Sequence, residues 1–255
     1  MYNYKGIGPY YYADLTALVS DTTPSIALLA GTGLTGTAPA VDSWQDQSGN
    51  ANHFISRPSH TITRETFGNI TNSVRFSVNG SGNNQMLATD GTAANNETFS
   101  ILMGFRTITL FGAVNSVAYF SVRDAATNNY LALYHNEDSP NNTVLAYFDQ
   151  NASHNNVWFD QNAVAYPQPG WTWVLFVKKS SKDSYMTFSH NKSRIPIDLG
   201  NAGPIATDGI QIVLGSWFGW NPLALAMSGF IYWNYPITDG RILGGLENFA
   251  DRFLI

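Results

Sequence analysis

The side chains best suited to holding a ligand are aromatic. Trp217, Trp220 and Asn221 lie in the stretch Gly215-Ser216-Trp217-Phe218-Gly219-Trp220-Asn221-Pro222, whose Gly and Pro residues mark a loop rather than a strand. A flat indole can take the apolar face of a sugar ring while a neighbouring amide fixes its hydroxyls. Trp158, with His154 and Asn155 before it and Asp160 after it, is the next such position. Two readings of the Trp217/Trp220 loop stand level: a ligand platform, and a lid folded back over the core. A second set offers oxygen atoms. Asp46, Ser48 and Asn50 alternate through one polar turn, as Ca²⁺ ligands do. The same spacing serves an Asx-turn, whose side chains bond the turn's own backbone, and this is the favoured reading. Asn136, Asp138 and Asn142 form a weaker oxygen cluster.

Catalytic constellations are missing from the sequence. Cleaving a glycoside takes two carboxylates at close range, yet the glutamates are Glu65, Glu97, Glu137 and Glu247, in no shared strand pattern. Glu137-Asp138 is an adjacent pair, and neighbours on a strand point to opposite faces, so it reads as a solvated loop. His53, His60, His135, His154 and His190 lack metal-binding spacing. With no cysteine there is no disulfide, thiolate zinc site or cysteine nucleophile.

The elements that carry these residues are short strands. Phe99, Ile101, Met103 and Phe105 alternate with Ser100, Leu102, Gly104 and Arg106, and Val74-Arg75-Phe76 keeps the same rhythm. Further runs at 117–122, 130–134, 144–148, 171–177, 185–189, 210–214 and 226–233 are separated by Asn/Gly/Ser/Asp clusters. No regular helices fall between them to support a parallel sheet, so antiparallel hairpins are expected. After Pro236, Thr238 can cap a C-terminal helix with Ile242, Leu243, Leu246, Phe249, Ala250 and Phe253 at helical spacing. A short helix is also expected near 12–19. Residues 1–40, rich in Thr, Gly, Ala and Pro after position 20, read as an extended docking arm, and 41–255 as one sandwich domain.

Composition narrows the partners. The 255 residues carry 13 Lys+Arg against 18 Asp+Glu, a net charge of -5, with 12% charged and 14% aromatic residues. Nucleic-acid binding needs a basic face that this balance does not supply. Apolar runs such as 171–177 fall far short of the roughly 20 residues of a membrane helix, and residues 1–9 have neither the basic nor the apolar part of a secretory leader.

The most informative string is Val41-Asp42-Ser43-Trp44-Gln45-Asp46-Gln47-Ser48-Gly49-Asn50-Ala51-Asn52-His53: a Trp on a strand, a Gly-containing polar turn, and a strand restarting at Phe54. It resembles the W-x-D-x-S-G-N-x-N opening of the concanavalin A-like lectin/glucanase superfamily, in its laminin-G-like branch. The likeness continues through Ser73 to Ser77, Met86-Leu87, Phe99 to Arg106, Gly170 to Val174, Ile212 to Gly215, Met227 to Trp233 and Pro236 to Asp239. The resemblance implies an all-β, two-sheet antiparallel jelly-roll sandwich with a short C-terminal helix. It implies sugar binding, with calcium as the usual ion. The E-x-D-x-E-type strand of the superfamily's hydrolases is absent, so the expectation is a non-enzyme.

Domains of this kind occur on bacteriophage particles. With a neutral Asn/Thr/Gly-rich surface and no leader, the expected protein is a virion surface component made in the host cytoplasm, a capsid decoration or a tail-fibre receptor-binding part. Its expected partners are other virion proteins, further copies of the chain, and cell-surface or environmental glycans. The alternatives are a capsid cement protein without a ligand, or an extracellular carbohydrate-binding module of a bacterial secreted protein.

Overall fold

Alternation along β8 (Phe99–Thr109) turns Phe99, Ile101, Met103 and Phe105 to one side, and all four lie in the core, as a period of two requires. A computed structural model of the chain describes residues 15–56, 62–67, 70–76, 86–88, 98–109, 116–124, 130–136, 142–149, 152–159, 171–180, 183–188, 194–198, 210–215 and 224–238. Two antiparallel sheets face each other. The first runs β15 (Arg194–Ile197), β14 (Ser184–Phe188), β13 (Thr172–Lys178), β8, β17 (Ala224–Trp233), β6 (Ile70–Phe76), β5 (Ile62–Phe67). The second edge of β17 is shared: β6 takes residues 225–227 and β1 (Ile26–Leu29) takes 229–232. The second sheet runs β12 (Ala152–Phe159), β11 (Asn142–Asp149), β10 (Tyr130–Asn136), β9 (Ser116–Asp124), β16 (Ile210–Leu214), β7 (Met86–Ala88), β4 (Phe54–Ser56), β3 (Ser43–Trp44), β2 (Leu34–Thr35). The architecture is the expected jelly-roll sandwich.

Aromatic rings join the layers. Phe230 of β17 meets Phe54 of β4 and Phe120 of β9, with ring centroids 6.2 and 6.0 Å apart, and Phe105 meets Tyr119 at 4.5 Å. Trp44, Trp171 and Trp173 are buried.

The first sheet is also covered on its outer side. Leu18 of α1 (Leu15–Thr22) packs with Leu102, Trp173, Ile231 and Trp233, so all seven residues of β13 are buried. The helix is pinned by hydrogen bonds: Trp233 Nε1 donates to Thr22 Oγ1 at 2.9 Å, and the Tyr235 hydroxyl donates to the Thr22 carbonyl. The Trp173 ring lies against Gly104, where an added Cβ would sit 2.6 Å from Trp173 Cζ2 and still closer to Ser228 Oγ.

The arm expected over residues 1–40 is corrected where the structure describes it. Ile26–Leu29 is a fully buried strand of the first sheet, and Leu34–Thr35 an edge strand of the second. A strand buried on both faces is apolar throughout and shows no alternation. Residues 1–14 and the expected C-terminal helix lie outside the described residues. The expected N-terminal helix is present over Leu15–Thr22. Among the described residues no helix is long and apolar enough to cross a membrane.

Two outcomes are expected. Gly104→Ala destabilises the fold by about 1–3 kcal/mol through overpacking, read as a lowered urea midpoint. Burial raises the Tyr235 pKa above its ordinary 10.0. The folded state then holds a proton that the unfolded state has lost, so stability falls as pH rises above that value. The fall in urea midpoint is steeper in the wild type than in Tyr235→Phe.

Candidate functional site

The Asp46 turn is built first. Asp46 is buried, and its two oxygens accept four hydrogen bonds. Oδ1 takes the N–H groups of Ala27 (2.8 Å) and Ser48 (2.9 Å), while Oδ2 takes Ser48 Oγ (2.7 Å) and the Asn52 N–H (3.0 Å). The Ser25 carbonyl accepts from the side-chain amides of Asn50 (3.1 Å) and Asn52 (3.0 Å), and Asp46 N–H donates to His53 Nδ1 at 3.1 Å. Gly49 turns the chain at φ +90°, where nothing crowds a side chain and the backbone conformation itself calls for glycine. The motif is therefore a latch that ties the 45–53 loop to β1. Asp46, Ser48 and Asn50 do come together, but the carboxylate lone pairs that a Ca²⁺ would use are taken by N–H and O–H donors. Among the described residues there is no group of three or more His, Asp or Glu able to hold a metal ion.

The tryptophan candidates belong to the other end. Leu214 lies opposite Phe120 and Met86, Ala224 opposite Thr109, Leu225 opposite Phe76, Asn136 opposite Asn142, and Thr143 opposite Phe159. The connections 57–61, 77–85, 110–115, 137–141, 160–170 and 216–223 therefore all join strand ends on one side of the sandwich, and five of them pass from one sheet to the other. The latch lies at the opposite end, beside Tyr232. Along β17 from Tyr232 to Ala224 the separation is eight residue steps, about 26 Å at roughly 3.3 Å each. The oxygen candidates and the strand ends that flank the 216–223 connection therefore lie at opposite ends of the sandwich.

Trp217, Trp220 and Asn221 lie outside the described residues, as do Glu137, Asp138, His60 and His190; the strand ends on either side, Leu214 and Ala224, belong to this rim. Gly215 packs against the Phe76 ring, and a Cβ there would meet Phe76 Cγ at 2.7 Å. Trp158 is on β12, opposite Val144. It shares the end but stands four strands from β16, roughly 19 Å at about 4.8 Å per strand.

The sequence reading missed one cluster. Glu65 accepts from Arg75 Nη1 at 3.2 Å and from Arg106 Nη2, and the Arg106 guanidinium lies 3.8 Å from the Phe67 ring centroid. Glu65 is thus the shared ion-pair partner of two arginines. Each of the three sits in its own strand, so only the register between strands reveals them.

No protein-family model and no curated protein matches the sequence. Solved structures do. The binding domain of botulinum neurotoxin serotype D superposes with a TM-score of 0.62 at 13% identity, over 91% of this chain and 52% of that one. The serotype D ligand-binding domain in complex with N-acetylneuraminic acid gives 0.61, 13%, 91% and 52%. The binding domain of neurotoxin DC in complex with rat synaptotagmin II gives 0.60, 14%, 91% and 52%. At these identities the likeness is one of fold, and the chain spans about half the length of those domains.

Asp46→Ala orphans the buried N–H groups of Ala27 and Asn52, at about 1–3 kcal/mol each. The expected loss is about 2–6 kcal/mol of unfolding free energy, measured by urea denaturation.

Proposed function

We propose that the chain is a non-enzymatic, lectin-like binding module whose ligand surface is the rim of loops at one end of the sandwich, with Trp217, Trp220 and Asn221 contacting a sugar and Trp158 at its margin. One observation carries this reading: the strand registers bring the ends of six connections to the same side, the 216–223 loop among them. Loops held on a rigid scaffold are where recognition is commonly built. The fold likeness supports it too, since the similar structures are binding domains, one with a sugar acid and one with a protein receptor.

The finer part of the proposal is location. A bacteriophage particle, as capsid decoration or tail-fibre component, suits a chain with no cysteine and 12% charged residues, displayed with other virion proteins and further copies of itself. Mass spectrometry of purified particles tests this part: presence of the chain supports it, and absence moves the module to a secreted carbohydrate-binding protein.

Binding is tested on a glycan array with the wild type and the Trp217→Ala/Trp220→Ala double variant. The expected result is selective binding that weakens about ten-fold or more in the variant, as for loss of aromatic anchors, with an unchanged Tm. Equal binding by both proteins, or binding of no glycan, would overturn the assignment.

A further inference from the structure

The outer face of the first sheet carries chemistry that the rim does not use. Arg106, Ala226, Arg75 and Thr63 stand in one row across β8, β17, β6 and β5. Leu225 and Met227 point into the core between the sheets, so Ala226 and the two arginines lie on the opposite face. Ala226 is short, which leaves room for Arg106 to extend along the sheet to Glu65. Two guanidinium groups share that one carboxylate, a charge of +2 − 1 = +1 on a chain whose net charge is -5.

The three members differ in access. The side chains of Arg106 and Glu65 are each 12% exposed, whereas that of Arg75 is 41% exposed. Arg75 makes its hydrogen bond to Glu65 through Nη1, and among the described residues the buried Nε of both arginines has no partner, which leaves Arg75 Nη2 as the atom free for a ligand. Beside them Phe67 is 38% exposed, with Arg106 against its ring and Trp171 Nε1 holding its carbonyl at 3.3 Å. An exposed guanidinium fork matches a carboxylate. A fixed aromatic ring matches the apolar face of a sugar.

We propose that Arg75, with Arg106 behind it and Phe67 beside it, forms a second binding site, for the carboxylate of an acidic sugar. Glu65 orients both arginines and competes with the ligand for them. The site shares no residue with the proposed rim site, so either can fail alone.

The test is an NMR titration of the ¹⁵N-labelled full chain, following the Arg Nε–H signals and the amides of 63–75. The probes are glucuronate, glucose and inorganic phosphate at equal ionic strength. Glucuronate is expected to shift Arg75 and its neighbours, glucose to leave them in place, and phosphate to bind more weakly because it has no ring to set on Phe67. Arg75→Gln, with its fold checked by Tm, is expected to weaken glucuronate about ten-fold or more, the worth of one charge-assisted hydrogen bond. Glu65→Gln is expected to tighten it, and the Trp217→Ala/Trp220→Ala variant to leave it unchanged. No glucuronate shift in the wild type, or a shift that survives Arg75→Gln, would overturn the site. Phosphate binding as tightly as glucuronate would overturn its assignment to a sugar.

Discussion

A single buried carboxylate organises one end of this sandwich. Asp46 gathers donors from Ala27, Ser48 and Asn52, and so joins β1 to a loop that leads into β4 of the facing sheet. With no cysteine in the chain, this hydrogen-bonded latch does what a disulfide does in many small sandwiches. Much depends on β1 staying in place. It completes the second edge of β17, its Leu29 carbonyl accepts from Trp44 Nε1 at 3.1 Å, and Leu29 packs in the outer cluster with Leu18 of α1. A charge-assisted network of this kind is costly to leave half satisfied and specific when complete.

The fold was legible where one face of a strand is polar. The alternation of Phe99, Ile101, Met103 and Phe105 gave β8, and the similar runs gave most of its neighbours. It was illegible where both faces are buried: Ile26-Ala27-Leu28-Leu29 has no alternation and follows a Thr/Pro-containing stretch, so it read as part of an arm. The latch shows a different limit. Asp, Ser and Asn at alternate positions suit both an Asx-turn and a calcium loop, and the choice rests on Ala27 and Asn52, of which Ala27 is nineteen residues away. For the candidate sites, the tryptophan loop was visible from its own Gly and Pro. Arg75, Arg106 and Glu65 were not, because nothing in three separate strands announces that their register will bring them together.

The latch and the proposed binding rim lie at opposite ends of the strands. The 45–53 turn ties down one end, while the connections of the proposed rim join strand ends about 26 Å away along β17. The outer face of the first sheet is divided as well: α1 covers its apolar part, and the two arginines with Phe67 occupy the part beyond it. The neurotoxin domains share the fold over about half their length, and a fold does not by itself set what its loops and faces bind.

The claim on which this division rests is that Asp46 ties β1 to the 45–53 loop. Hydrogen–deuterium exchange of Asp46→Asn against the wild type tests it directly. The account predicts faster exchange at Ala27 to Leu29 and at residues 229–232, with the rim ends of β8 and β17 unchanged. Unchanged protection at Ala27, or a loss of protection spread evenly over both ends, would contradict it.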